Sequence, residues 1–242
     1  MRILVISPGA LGDFILALGM MAKIRRDHAD AHITLLVPPA FRDAADRSRY
    51  ADAVVMEKPA PGIIAWLRLA LFKRRGGFSH VYDLRRGAEG PPPDVSWMES
   101  DVSLFAPPKP YVLLVPGGNT QRWPAVRYGA LAAKLNLNGF NVALLGTSDD
   151  ADAINIITKA CSAAVDLSGR TSLYDIATLA RGASGAVGND TGPLYLVAAA
   201  GCPVVALSSF ADTKIPGDVV IVQTDDLQNL QLGPVFKALK TR

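Results

Sequence analysis

Gly188-Asn189-Asp190-Thr191-Gly192-Pro193 is the stretch on which the reading of this chain turns. It follows the apolar pair Ala186-Val187 and opens the apolar segment 194–200. Apolar run, glycine turn and second apolar run together spell strand, turn and helix. Such a turn sets backbone amides and the positive end of a helix beside a strand end, where a phosphate or another anion binds. On that reading the amides of Thr191 and Gly192 meet phosphate and Asp190 holds a sugar or ribose hydroxyl. The competing reading is a capped helix, Asp190 and Thr191 both being good N-caps. A second turn of this kind, Ser7-Pro8-Gly9-Ala10-Leu11-Gly12-Asp13, stands near the start. Two such turns in two half-chains predict two domains with a ligand cleft between them.

Outward from the turn, strands and helices alternate. The first half has apolar runs at 3–6, 33–37, 53–56 and about 80–84, with helical spacing from Leu11 onward and over 63–75. The second half has expected strands at 112–115, 142–145, 165–167, 185–187, 204–207 and 219–222. Its expected helices are 125–137, 150–161, 173–181, 194–200 and 227–239. Continuous apolar runs are the mark of strands buried on both faces, and alternation with helices argues for parallel sheets. The fold class is α/β, with two Rossmann-like doubly wound domains. Between them, 87–110 carries Pro91-Pro92-Pro93 and Pro107-Pro108-Lys109-Pro110 and reads as a linker. The expected domains are 1–86 and 111–242, with 87–110 joining them.

Composition narrows the class. The chain has 242 residues, half of them hydrophobic, enough for a sizeable core. The longest apolar candidate, 194–207, is interrupted by Gly201 and Pro203 and is too short to cross a bilayer. The run 3–6 is far shorter than the apolar part of a signal peptide. A net charge of +3 and 7% aromatic residues, without basic residues interleaved among stacking aromatics, do not call for nucleic acid. Cys161 and Cys202 make no metal or redox spacing and read as reduced core thiols, as in a cytoplasmic protein. His28, His32 and His80 form no ligand pair.

Four turns carry the chemistry-bearing residues. The first, Gly9-Ala10-Leu11-Gly12, is not G-x-G-x-x-G, and the second strand ends in Val37-Pro38 without an acid for a ribose, which argues against a dinucleotide dehydrogenase. Asp13 follows in the first helical turn. It is either a carboxylate favoured there by the helix dipole, worth about 0.3–1 kcal/mol, or a general base that deprotonates an attacking hydroxyl. The second is Pro116-Gly117-Gly118-Asn119-Thr120-Gln121-Arg122-Trp123-Pro124. Its glycines permit close approach of backbone to a ligand and Arg122 can pair with phosphate; the plain alternative is a strand-to-helix connection anchored by Trp123. The third, Gly146-Thr147-Ser148-Asp149-Asp150, caps a helix through Ser148 or Asp149, or offers a carboxylate to ribose hydroxyls. Asp149, Asp150 and Asp152 lack the further ligands of a metal site. The fourth is the opening stretch.

With these residues assembled, the chain resembles the heptosyltransferases of glycosyltransferase family 9. The resemblance lies in the first strand with Gly12 and Asp13, in Gln121-Arg122-Trp123-Pro124, in Leu167-Ser168-Gly169-Arg170-Thr171-Ser172-Leu173 and in Gly188 to Pro193, in matching order, over about 1–84 and 111–207. It implies a GT-B fold, two Rossmann-like domains facing a cleft, here with a truncated N-terminal domain. It implies inverting transfer, without metal or other cofactor, from a nucleotide-diphosphate sugar, typically ADP-heptose, to a lipopolysaccharide-type or other glycan or glycolipid acceptor. Asp13 matches the family's base. Gly117, Gly118, Arg122, Asp150, Asp190, Thr191 and Gly192 match its donor site, with Gly12, Gln121 and Tyr195 lining the cleft. The sequence departs from the family where its phosphate-binding lysine becomes Gln121 and its motif-helix histidine becomes Tyr195. The loop at Gly117-Gly118 is also shorter.

Two other functions fit the same features: a relative that binds a nucleotide or sugar without catalysis, and a GT-B nucleotide-sugar epimerase. The segment 63–75 is an apolar helix with a basic end. It reads as a core helix whose last turn complements its dipole, or as one that docks on an anionic membrane surface, which for a cytoplasmic protein is the inner face.

Overall fold

The structure, a computed structural model, describes residues 1–57, 62–87, 90–118, 122–210 and 213–239. It divides into two compact units, Met1–Pro93 and Asp94–Arg242.

The first unit runs β1 (Arg2–Ile6), α1 (Leu11–Asp27), β2 (His32–Val37), α2 (Arg42–Ser48), β3 (Ala53–Met56), α3 (Gly62–Gly76) and β4 (His80–Asp83). Its strands pair in parallel in the order β3-β2-β1-β4. β1 is the expected run, its residues after Arg2 fully buried. α1 buries Phe14, Ile15, Leu18 and Met21, and Phe14 stacks on Phe41 with ring centroids 4.4 Å apart. α2 was not legible in the sequence. Its buried face is Ala44, Ala45 and Ser48, small residues that leave almost no hydrophobic periodicity. Leu69 and Phe72 of α3 pack on Leu4, Ile6 and Leu36, while Leu67 and Leu71 are about half exposed. Residues of the expected linker belong here too. A side chain on Gly19 would collide with the Pro91 carbonyl at 1.8 Å, and one on Gly90 would meet the Met20 backbone, so 90–93 lie tight on α1.

The second unit runs β5 (Tyr111–Val115), α4 (Ala125–Leu137), β6 (Asn141–Leu144), α5 (Ala151–Ala160), β7 (Val165–Asp166), α6 (Leu173–Gly182), β8 (Gly185–Asn189), α7 (Gly192–Ala199), β9 (Val204–Ser208), β10 (Val219–Gln223) and α8 (Leu232–Ala238). All pairings are parallel, in the order β10-β9-β8-β5-β6-β7. Counted from β5, this is the doubly wound 3-2-1-4-5-6 order, and the first unit is its 3-2-1-4 beginning. Beside β5 the order reverses, with β6 on one side and β8 on the other. The turns after β5 and β8 therefore meet at the carboxyl edge of the sheet, where open parallel sheets bind ligands.

Two expectations change in this unit. The helix expected over 227–239 begins only at Leu232, because the Asp226 carboxylate accepts from the Gln228 N–H and the Asn229 amide, both at 2.8 Å, and folds 226–229 into a turn. Residues from Asp94 onward, expected within the linker, are a strap on α6. Val95 and Met98 are buried, Ser100 Oγ donates to Asp175 at 2.6 Å, and Arg181 donates to the Val95 and Met98 carbonyls. Cys161 and Cys202 are buried and unpaired, burial pushing the Cys202 thiol up to about 12. Among the described residues no helix is long and apolar enough to cross a membrane.

Candidate functional site

The second unit gathers its site from four strand ends. At the end of β8, Gly188 has no room for a side chain, since a Cβ would meet Val115 Cβ at 2.7 Å and Leu194 Cδ1 at 2.9 Å. This close contact draws the β8 turn onto the β5 turn. Gly118 has a φ of +139° and lies on the Thr191 methyl, 3.2 Å from where its Cβ would stand. Gly117 faces the other way, its Cβ position 2.9 Å from Asp150 Oδ2. Glycine is needed at both positions for backbone to pass between two neighbours.

Asp150 is buried and mostly engaged. Its Oδ2 accepts from the Thr147 N–H at 2.9 Å and the Thr147 hydroxyl at 3.0 Å, closing a capping box around Thr147. The cap is thus Thr147, where Ser148 or Asp149 was expected. Asp150 Oδ1 stands 3.5 Å from Arg122 Nη1, a long ion pair that leaves the guanidinium, 36% exposed, able to turn its fork to an anion.

Thr191 is the N-cap of α7 but its side chain makes no capping bond; its hydroxyl donates to the Asn189 carbonyl at 3.3 Å. The first amides of α7 thus escape side-chain capping at the sheet edge. Asp190 has partners that the sequence did not announce. It accepts from Thr213 Oγ1 at 2.8 Å and Ser208 Oγ at 3.3 Å, fastening the segment after β9. A ligand hydroxyl at Asp190 therefore joins two protein hydroxyls already there. Tyr195 lies in the first turns of α7, part-buried. Gln121 lies outside the described residues.

Asn189 was missed as well. It is 1% exposed, and its amide donates to the carbonyls of Pro116 and Gly117 while its oxygen accepts from the Trp123 N–H and the Tyr128 hydroxyl. Its signal in the sequence was a polar residue just after an apolar run, within the opening glycine turn. From the far side, Gln228 donates to the Arg122 carbonyl and Trp123 Nε1 to the Leu230 carbonyl, each at 2.8 Å.

In the first unit, Gly12 is buried and Asp13 is exposed in the first turn of α1. Asp83, which ends β4 in register with Ile6, is held by a two-pronged bond from Arg85 at 2.8 and 2.6 Å, which keeps its carboxyl below the usual range. Asp13 has no hydrogen-bond or ion-pair partner among the described residues. Among the described residues no three His, Cys, Asp or Glu side chains are placed to hold a metal ion.

Residues 68–215 match the family described as glycosyltransferase family 9 (heptosyltransferase), well over half of the chain. The protein belongs to glycosyltransferase family 9. The family-9 chain is 31% identical over 169 residues to lipopolysaccharide heptosyltransferase 2 of Salmonella typhimurium, covering 64% of this chain and 48% of that protein. It therefore spans about half the length of that curated relative. The solved E. coli ADP-heptose lipopolysaccharide heptosyltransferase II superposes with a TM-score of 0.76 at 19% identity, covering 99% of this chain and 97% of that one. E. coli heptosyltransferase WaaC, solved with ADP, gives 0.72 at 15% identity over 98% and 96%. These likenesses establish the two-sheet GT-B-like fold for the family-9 chain.

Proposed function

We propose that this family-9 protein is an inverting glycosyltransferase that moves a sugar from a nucleoside-diphosphate donor to a glycan hydroxyl. The observation that carries the reading is the meeting of Gly118 with Thr191 where the strand order of the second unit reverses. Two glycine turns, the start of α7 and Arg122 come together there, which supports reading the place as a diphosphate site. Relatives whose names specify ADP-heptose, ADP and lipopolysaccharide support an ADP-linked, heptose-like donor and a lipopolysaccharide-type acceptor.

In the proposed reaction Asp13 takes the proton of the acceptor hydroxyl as its oxygen attacks the anomeric carbon. The bond from that carbon to the diphosphate oxygen breaks, with inversion, and the nucleoside diphosphate leaves. Its growing charge is met by Arg122 and by the amides of Thr191 and Gly192, so the step is written without a metal. Asp190 and Asp150 flank the diphosphate as hydroxyl acceptors.

Calorimetric titration with ADP, UDP and GDP tests the donor site, and transfer from ADP-heptose to a glycan acceptor tests the reaction. Binding of none of the three nucleotides removes the reading. A binding-only role is the second reading, favoured by Gln121 and Tyr195 standing where the family has lysine and histidine; turnover with any acceptor decides against it. Interconversion of the nucleotide sugar without an acceptor is the mark of an epimerase. We place the protein in the cytoplasm. Contact of α3 with the membrane's inner face is supported by Leu67 and Leu71 standing exposed two turns and one turn before Arg74 and Arg75; failure to bind anionic liposomes at low salt rejects it.

A further inference from the structure

We infer that Tyr128, behind the candidate diphosphate site and not lining it, is a positioning residue that sets the shape of that site through Asn189. The inference rests on the nucleotide reading above.

The Asn189 side chain has two donors and two acceptor sites, and all four are used. Nδ2 donates to the Pro116 carbonyl at 2.9 Å and to the Gly117 carbonyl at 3.0 Å. Oδ1 accepts from the Trp123 N–H and from the Tyr128 hydroxyl, both at 3.1 Å. The orientation of the amide is dictated by its partners. Two are carbonyls that only accept, and Trp123 offers a backbone N–H that only donates. Nothing is left on Asn189 for a ligand, although it sits inside the glycine turn that marks the site. Its work is to hold the loop after β5 at both ends, Pro116-Gly117 at the start and Trp123 at the close. Gly118 and Arg122, the described residues of that loop offered to a diphosphate, lie between those ends.

Tyr128 supplies the fourth bond. It is fully buried on α4, its ring set edge-on to Trp123 with centroids 4.8 Å apart. Burial drives its hydroxyl well above the ordinary tyrosine range, so it stays protonated and donates. Its other neighbour, the Val115 carbonyl, is 3.5 Å away, at the limit of a hydrogen bond. Removing the hydroxyl leaves Asn189 Oδ1 with a single donor in a buried site, so that three bonds instead of four hold the amide and it can rock about them. The two carbonyls on Nδ2 move with it, and with them Gly118 and Arg122.

A matched substitution separates positioning from plain stability. Tyr111 is another buried tyrosine of this unit, its hydroxyl donating to the Leu179 carbonyl at 2.7 Å, but it stands at the opposite, amino end of β5. Tyr128→Phe and Tyr111→Phe each delete one buried hydroxyl and keep the ring. Both are titrated with ADP, and with UDP and GDP, well below their melting temperatures. Tyr111→Phe is expected to bind as the unaltered protein does, and Tyr128→Phe about fivefold more weakly, the scale of one hydrogen bond. Equal affinities for the two variants, whatever their melting temperatures, overturn the inference and leave the nucleotide reading standing. Silence of the unaltered protein towards all three nucleotides overturns the reading and the inference together.

Discussion

Gly118 lies on Thr191, its missing side chain 3.2 Å from the threonine methyl, and through this contact the turn after β5 and the turn after β8 become one surface. The contact needs both the absence of a Cβ and a backbone φ of +139°, a combination that only glycine meets without strain.

Gly118→Ala is accordingly expected to lower stability by about 1–3 kcal/mol and to open the two turns. Nucleoside-diphosphate affinity falls with it. Gly9→Ala is the comparison, since nothing stands within 4 Å of that position, and its effect is expected to stay within about 0.5 kcal/mol. Thermal melts of the two variants check the contrast; an equally benign Gly118→Ala removes the steric account.

Arg122 pairs with Asp150 at 3.5 Å, long enough for the guanidinium to exchange that partner for phosphate. Arg122→Ala is expected to weaken nucleoside-diphosphate binding by roughly 1.5–3 kcal/mol, about ten- to a hundredfold. Arg122→Lys restores charge without the two-pronged geometry and should recover part of it. Calorimetry with unchanged affinity in both variants takes Arg122 out of the site.

Asp13→Asn is expected to abolish transfer while nucleotide binding survives, because the carboxylate belongs to the first unit and the donor residues to the second. Single-turnover assays beside titrations separate the two effects. Full activity in the variant rules out Asp13 as the base.

Acid should weaken the first unit through Asp52. Its carboxylate accepts from the Ile33 N–H at 2.7 Å and from Arg25 at 2.5 Å, and these bonds hold its pKa below the ordinary 3.8. The stabilisation is fully present above that ordinary value and is lost as pH falls through the lower folded value. Melting temperature is expected to be flat from neutral pH down to about 5 and to drop below about 4. Asp52→Asn should be less stable at pH 7 and show a shallower acid slope. Parallel slopes for the two proteins would falsify the assignment.

The sites differ in how much of them could be read beforehand. Gly117, Gly118, Arg122, Thr191 and Gly192 were legible because glycine turns after apolar runs are local signals, and the structure brings them together. Asp150 was legible as a carboxylate near the site, but its commitment to Thr147 was hidden, since Ser148 and Asp149 looked equally able to cap. The partners of Asp190 were hidden for another reason. Ser208 and Thr213 lie on a different strand end, and no spacing in the sequence connects them to the turn. α2 escaped notice because alanines bury little surface, and the strap from Asp94 onward was hidden by the prolines on either side of it, although Val95 and Met98 are core residues.

What the amino-acid order determined alone was the alternation of strand and helix and the place of each glycine turn. Strands buried on both faces must be continuous apolar runs, and turns of high curvature must carry glycine, so both are written residue by residue. What only the tertiary structure decided was adjacency. β8 returns to the free side of β5 and not to β7, and this puts Gly118 on Thr191 and Asn189 beneath Arg122's loop. Strand order is fixed by how separate apolar faces pack and by hydrogen bonds between residues far apart in the chain. The same glycine turns in another strand order would be separate loops with no common site.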